Sequence, residues 1–145
     1  MFKHILIATD GSELAQKGVD QGLALAKALG AKVTAVTVTE PLTAMLVGEA
    51  AIALPIDEFE KAASAGAAKI LAGVSASAAK AGVACEPLYV KEQYPAEGIV
   101  EAAKARGCDL IVMASHGRRG LSKLLLGSQA TRVLTHSDVP VLVCR

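Results

Sequence analysis

Five short apolar runs recur along the chain, and longer segments with mixed apolar and polar positions separate most of them. The runs cover residues 3–9, 32–39, 84–90, 109–114 and 139–144. The first run and the last two are almost continuously apolar, which is typical of strands that are buried on both faces. The separating segments predict helices over residues 13–29, about 56–81, 95–106 and 129–135.

A glycine marks the end of three of these predicted helices. Gly30, Gly82 and Gly107 each follow a helical segment and are followed almost at once by an apolar run. Glycine is the residue that most readily takes the left-handed conformation at a helix end. A repeated order of helix, glycine and strand predicts βαβ crossovers, and hence a parallel sheet with helices on both faces.

The strand and helix pattern predicts one α/β domain over residues 1–145, with five parallel strands in the order 3-2-1-4-5. In such a doubly wound sheet, the strand order reverses between strands 1 and 4. Ligands bind at the carboxyl ends of the strands that flank this switch point. Polar loops follow both of those strands, so the sequence predicts that the two loops meet in one crevice.

The loop after the fourth strand carries the pattern of a phosphate site. Glycines allow the backbone to approach an anion closely, and the free N–H groups at a helix start point toward it. The loop and the start of the next helix contain the glycines Gly117, Gly120 and Gly127, the hydroxyl of Ser128, and the cations Arg118, Arg119 and Lys123. The loop is not a Walker A motif, because it lacks a glycine-lysine-serine or -threonine sequence.

Composition narrows the range of partners. Hydrophobic residues make up 52% of the 145 residues, and the formal net charge is +1. With so small a net charge, the protein is not expected to attract nucleic acid or an anionic membrane through a long-range electrostatic field. The three cysteines form no close pair, which argues against a disulfide framework or a zinc site. No leader pattern and no membrane-spanning apolar run is expected, which favours a cytoplasmic location.

The beginning and end of the chain, with the glycine loop, resemble the universal stress protein family. Residues 5–12 read ILIATDGS and residues 137–143 read SDVPVLV, similar to the family's terminal signatures. The family's nucleotide motif is usually written G-x2-G-x9-G-[ST]-N. Gly117, Gly127 and Ser128 fit this motif, whereas Ala114 stands in place of the first glycine and Gln129 in place of the common asparagine.

The resemblance implies an adenine nucleotide alpha hydrolase-like fold that binds ATP, with or without Mg²⁺. It implies that Asp10 and Val38 frame the adenine and ribose, and that Met113 and Ala114 lie under the nucleoside. The residues that it implies around the phosphates are His116, Gly117, Gly127, Ser128 and Gln129. It also implies a homodimer formed through the last strand, from Val139 to Cys144. The glycine spacing and the converging Asp10 loop further suggest a stress-response regulator, in which the nucleotide state changes the loop over residues 115–126 and hence the choice of protein partner.

Other interpretations of the same residues stay open. Asp10 could instead cap the first helix, with Glu13 completing a capping box. Ala114 could mark a dimeric scaffold without nucleotide, and a slow ATPase or nucleotidyl-handling enzyme is a further alternative. The apolar segment over residues 41–55 could fold onto its own domain, or form a lid or a partner surface.

The sequence offers little catalytic chemistry. No Cys–His set, Ser–His–Asp set or acidic metal cluster is recognisable, and His4 lies in the first strand with no obvious partner. The third strand ends without the aspartate that a phospho-accepting receiver domain needs. A binding protein rather than an enzyme is therefore expected.

Overall fold

The computed structural model describes residues 1–45, 55–117 and 125–145. Ten helices and strands alternate in these ranges. In chain order they are β1 (His4–Ala8), α1 (Glu13–Leu29), β2 (Lys32–Val38), α2 (Leu42–Met45), α3 (Ile56–Ala81), β3 (Cys85–Val90), α4 (Pro95–Arg106), β4 (Leu110–Ala114), α5 (Ser128–His136) and β5 (Val141–Cys144).

The described strands form one parallel sheet in the order β3-β2-β1-β4-β5. The central strand β1 pairs with β2 through Ile5 and Val33, and with β4 through Ile5 and Leu110. The predicted fold class and strand order are therefore confirmed. This order places the switch point between β1 and β4, and it places β3 and β5 at the two edges.

Two apolar cores lie on opposite faces of the sheet. On one face, side chains of β1, β2 and β4 pack against α1 and α3, with Ile7, Val19 and Val74 among the buried residues. On the other face, Leu6, Ile111 and the neighbouring strand residues pack against α4 and α5. Successive strand residues alternate between these cores, which is why β1, β2 and β4 must be apolar on both sides.

Helix ends follow the glycine pattern. Gly30, Gly82 and Gly107 have φ angles of 65°, 74° and 65°, and their N–H groups donate to carbonyls of the preceding turn. A positive φ angle ends the helix and turns the chain toward the next strand. Glycine stands at these positions because the angle is energetically costly for other residues. The predicted bounds of α1, α3 and α4 are confirmed, and α5 is longer than predicted by one residue at each end.

Strand bounds differ from the prediction mainly at β5. The strand begins at Val141 rather than at residue 139, because Ser137 forms a turn in which its hydroxyl donates to Val139 O and accepts from Val139 N. The short helix α2 was not predicted. It lies in the apolar segment over residues 41–55, of which residues 46–54 lie outside the described residues.

One helix corrects the expectation that no segment could span a bilayer. Among the described residues, α3 is long and apolar enough to cross a membrane by length and composition alone, with a mean hydropathy of 1.2. Four of its residues (Ala67, Leu71, Val74 and Ala78) are buried against the domain. A helix that packs on a sheet passes the same test, so the support for a membrane span is weak.

Polar contacts join the strands at the amino-terminal end of the sheet. His4 is buried and its Nε2 lies 2.8 Å from Oγ1 of Thr34, so the expectation that His4 lacks a partner was wrong. The carboxylate of Asp109 accepts hydrogen bonds from the backbone N–H groups of Lys3 and His4. These contacts connect β1 to β2 and to the start of β4. They lie at the opposite end of the strands from the carboxyl ends of β1 and β4.

Candidate functional site

The loops after β1 and β4 meet at the switch point, as the strand order predicts. They enclose a cavity of about 130 Å³. Its lining comes from six elements and their loops: Ala8, Thr9, Asp10, Ala15, Val36, Val38, Pro95, Ile99, Met113, Ala114, His116, Gly117 and Gln129. Five of them (Ala8, Val36, Val38, Ile99 and Met113) belong to the core on the face of the sheet that α4 and α5 cover.

The turn after β1 holds Asp10 through a series of side-chain hydrogen bonds. Oγ1 of Thr9 accepts from Gly11 N at 3.1 Å, and Oδ1 of Asp10 accepts from Ser12 N at 2.9 Å. Ser12 is the residue that caps α1, with Oγ accepting from Ala15 N at 3.1 Å. The alternative in which Asp10 caps α1 was therefore wrong, and the Asp10 carboxylate borders the cavity instead.

Gly117 allows the two loops to approach each other. A Cβ atom placed on Gly117 would lie 2.6 Å from Oδ2 of Asp10, which is closer than non-bonded atoms can come. Asp10 comes from the loop after β1 and Gly117 from the loop after β4. The missing side chain of Gly117 therefore leaves room for the Asp10 carboxylate at the wall of the cavity.

Gly127 allows the start of α5 to pack closely against the loop after β4. A Cβ atom on this residue would lie 2.6 Å from the carbonyl oxygen of Ser115, and its N–H donates to that oxygen at 2.9 Å. Close backbone packing at the start of α5 thus requires a small residue. Gly127 and Ser128 do not line the described cavity, and Ser128 is exposed at the first position of α5.

Gln129 borders the cavity, but its side-chain oxygen already has a partner. Oε1 of Gln129 accepts a hydrogen bond from Ala96 N at 3.1 Å. Ala96 lies in the first turn of α4, where no side chain of Tyr94 caps the helix. Gln129 therefore supplies a cap from α5 to α4, a role that its position in the nucleotide motif did not indicate.

Ala114, at the first glycine position of the nucleotide motif, directs its methyl group away from the face of the sheet on which Met113 lies. The register pairs Ala114 with Cys144, whose side chain belongs to the core on the α1 and α3 face. Paired residues of parallel strands point to the same face, so the methyl group of Ala114 is directed toward α1. The opposite face, where Val36, Val38 and Met113 lie, does not receive this methyl group.

His116 lies half-buried at the cavity wall. Its Nδ1 is 3.0 Å from Oγ of Ser115, which is within hydrogen-bonding distance. The cations Arg118, Arg119 and Lys123, together with Gly120, lie outside the described residues, as does most of the loop over residues 115–126.

A second hollow of about 360 Å³ adjoins the first one and shares Asp10 and Val38 with it. Its outer wall is the amino-terminal half of α3, with Phe59, Ala62 and Gly66. The sequence pattern did not place α3 near the site. Pro95 is a further lining residue. Its position after a strand and at the start of a helix could have indicated this from the sequence.

No group of three or more His, Cys, Asp or Glu suited to a metal ion is found within residues 1–45, 55–117 and 125–145. Within those ranges, Asp10 is the one carboxylate among the residues that line the cavity. The arrangement is therefore a hollow with apolar walls, one acidic group and one imidazole.

The fold and this crevice define an open, doubly wound α/β protein with a cavity at the switch point of the sheet, where proteins of this architecture bind ligands. A family model described as the universal stress protein family matches residues 1–145. The chain belongs to that family.

Similar proteins agree with this assignment. The chain is 34% identical to the universal stress protein YxiE of Bacillus subtilis and 36% identical to a universal stress protein of Thermus aquaticus, with all of both chains covered in each case. Among solved structures, the protein MJ0577 of Methanocaldococcus jannaschii is 29% identical with a TM-score of 0.83, over 99% of this chain and 95% of that one.

A further solved structure is a universal stress protein in complex with cAMP. It is 25% identical with a TM-score of 0.73, and the match covers 99% of this chain and 97% of that one.

Proposed function

We propose that this universal stress protein binds an adenine nucleotide, with ATP as the ligand, in the crevice between β1 and β4. The observation that carries the proposal is the convergence of Asp10 and Gly117 from two separate loops on one cavity at the switch point. A carboxylate at such a position accepts hydrogen bonds from ribose hydroxyls, and the apolar walls from Val36, Val38 and Met113 suit a purine ring.

Two further observations support the nucleotide. A solved relative of this fold is described in complex with cAMP, which is an adenine nucleotide. The methyl group of Ala114 is directed toward α1, which argues against the alternative in which this departure from the motif closes the pocket. The phosphates would then extend toward the start of α5, where Gly127 and Ser128 stand.

We propose binding and signalling rather than turnover. Phosphoryl transfer needs a base or water-positioning group and a metal-holding group near the phosphates. Asp10 is the single carboxylate on the described cavity wall, and the proposal places it on the ribose side. Any hydrolysis would be slow, and the bound nucleotide would act as a signal read by a regulatory protein partner in the cytoplasm.

We also propose that two copies associate through β5. This strand lies at the edge of the sheet, and Leu142 is 39% exposed there. An edge strand with unpaired backbone groups and an exposed leucine is a template for pairing with a second copy. The dimer would leave both crevices open, since they lie at the carboxyl ends of β1 and β4.

The test is calorimetric titration of the nucleotide-stripped protein with ATP, ADP, AMP and cAMP, each with and without Mg²⁺. Asp10→Asn is the informative variant, because the amide oxygen can still accept from Ser12 N while the charge is removed. Asp20→Asn is the matched control, since Asp20 is exposed two turns into α1 and accepts from Gln16 Nε2.

We expect saturable binding that weakens in Asp10→Asn and is unchanged in Asp20→Asn. A substitution at Gly127 would be uninformative, because any side chain there meets the Ser115 carbonyl. Absence of binding to every adenine nucleotide would overturn the proposal and favour the dimeric scaffold. Phosphate release measured with Mg²⁺ at rates typical of enzymes would overturn the non-enzymatic part alone.

A further inference from the structure

Gly18 of α1 lies directly against the end of β4. A Cβ atom placed on Gly18 would be 3.2 Å from Ala114 N and 3.4 Å from Met113 C. Both of these atoms belong to the backbone, which cannot rotate away as a side chain can. The missing side chain at Gly18 therefore sets how closely α1 and the last residues of β4 approach each other.

Gly22 occupies the next turn of the same helix face and provides a comparison. A Cβ atom there would lie 2.6 Å from Cδ1 of Ile7 and 3.4 Å from Cγ1 of Val112. Gly22 thus faces side chains in the middle of the sheet, whereas Gly18 faces the backbone beside the cavity. Both glycines pack against the sheet, but Gly18 lies closer to the crevice than Gly22 does.

The end of β4 also connects the cavity wall to β5 and to the start of α5. Met113 and Ala114 line the cavity, and Ser115 follows them. Ser115 N donates to Cys144 O at 2.8 Å, and Ser115 O accepts from Gly127 N at 2.9 Å. A displacement of β4 away from α1 would therefore move the cavity wall and the start of α5 together.

Ala114 adds a methyl group on the side of the sheet that α1 covers. At this position the family's motif has glycine, and the helix that faces the strand end carries glycine at Gly18.

We propose that Gly18 is a positioning residue for the ligand crevice: by lacking a side chain it sets the position of the Met113–Ala114 backbone. This inference rests on the proposed nucleotide function for its effect on affinity. It assigns a specific role to a buried helix residue that makes no contact with the cavity.

The experiment compares Gly18→Ala with Gly22→Ala, each adding one methyl group to the same helix face. Nucleotide titration gives the Kd, urea unfolding gives the stability, and the amide NMR spectrum of the ligand-free protein reports on Met113, Ala114 and Ser115. Val19→Ala is a second control, because it removes buried volume from α1 and adds no atom near the crevice.

For Gly18→Ala we expect the Kd to rise about ten-fold or more, and the amide signals of residues 113–115 to shift. For the two controls we expect lower urea midpoints, Kd values within about two-fold of the original protein, and unchanged signals at residues 113–115. Should Gly22→Ala fail to fold, Val19→Ala carries the comparison.

Equal effects of Gly18→Ala and the controls on the Kd and on these amides would overturn the inference. If the original protein binds no adenine nucleotide, the proposed function fails while the amide signals still decide the role of Gly18. Unshifted signals in Gly18→Ala would then overturn the positioning role as well.

Discussion

Oε1 of Gln129 accepts a hydrogen bond from the backbone N–H of Ala96, which lies 33 residues earlier in the chain. This bond joins the first turn of α5 to the first turn of α4, on the wall of the crevice. Arg132 of α5 and Glu97 of α4 form an ion pair across the same two helices. The start of α5 is thus held by α4 as well as by the Ser115 carbonyl.

Replacing Gln129 with the shorter asparagine of the family motif will weaken this connection. Asparagine lacks one methylene group, so its amide cannot reach Ala96 N without a backbone shift, and the first turn of α4 loses its cap. We expect a loss of about 1 kcal/mol in the free energy of unfolding, measured by urea denaturation. Gln16→Asn on the exposed surface of α1 serves as the control, and an equal loss there would contradict the assignment.

Gly117→Ala will displace Asp10 from the crevice. The backbone of Gly117 does not need a positive φ angle, so alanine is compatible with the loop, and among the described residues its methyl group meets the Asp10 carboxylate alone. We expect weaker nucleotide binding by about ten-fold with little change in stability, measured by titration and thermal unfolding. Gly73→Ala is the control, because a Cβ atom there has no neighbour within 4 Å. Unchanged affinity in Gly117→Ala would argue against a ligand contact by Asp10.

His4 will make the fold sensitive to mild acid. Burial lowers the pKa of His4, Lys32 lowers it further, and Asp109 and Glu86 act in the opposite direction. Because the folded-state pKa lies below the unfolded value of about 6.5, the unfolded state binds more protons as the pH falls through that value. The contribution of His4 to the free energy of unfolding is therefore fully present above the unfolded-state pKa. It is lost progressively as the pH falls toward the lower folded-state pKa.

The urea midpoint of the original protein should fall between pH 7.5 and pH 5. In His4→Gln the amide can keep a hydrogen bond to Thr34 but does not titrate, so its midpoint should fall less over the same interval. A constant difference between the two midpoints would show that His4 does not contribute to the pH dependence.

Leu142→Lys will dissociate the proposed dimer. Leu142 lies on the outer strand β5, and a charged side chain on an edge strand opposes pairing with a second copy. We expect a change from dimer to monomer in light scattering at micromolar concentration. Leu29→Lys is the control, since Leu29 at the end of α1 is similarly exposed, at 36% against 39% for Leu142. A dimer that survives Leu142→Lys would place the interface elsewhere.

The cysteines will react with thiol reagents in an order set by burial. Burial raises the pKa of all three thiols, but Cys108 and Cys144 are buried whereas Cys85 is partly exposed. Because the thiolate is the reactive form, we expect slow labelling at neutral pH, with Cys85 first. Peptide mapping after timed labelling measures the order, and Cys108 and Cys144 should become reactive only in urea. Rapid labelling of Cys144 in the folded protein would contradict the packing of β5.

The amino-acid sequence by itself determined the five strands, all of the described helices except α2, and their order. The apolar periodicity and the glycines Gly30, Gly82 and Gly107 located α1, α3 and α4 to the residue, because helix-ending and strand-forming preferences act over a few neighbouring positions. The reversal of strand order placed the crevice at the ends of β1 and β4. That placement brought the loops with Asp10 and Gly117 together, and the resemblance to the universal stress protein family added Val38 and Met113 as lining residues.

Only the tertiary structure decided what the individual glycines and polar side chains do. Gly18 against Met113 and Ala114, Gly127 against the Ser115 carbonyl, and Gln129 against Ala96 are contacts between residues far apart in the chain. Each depends on differences of a few tenths of an ångström in how closely two packed elements approach. Such distances arise from the whole core and leave no local pattern in the sequence.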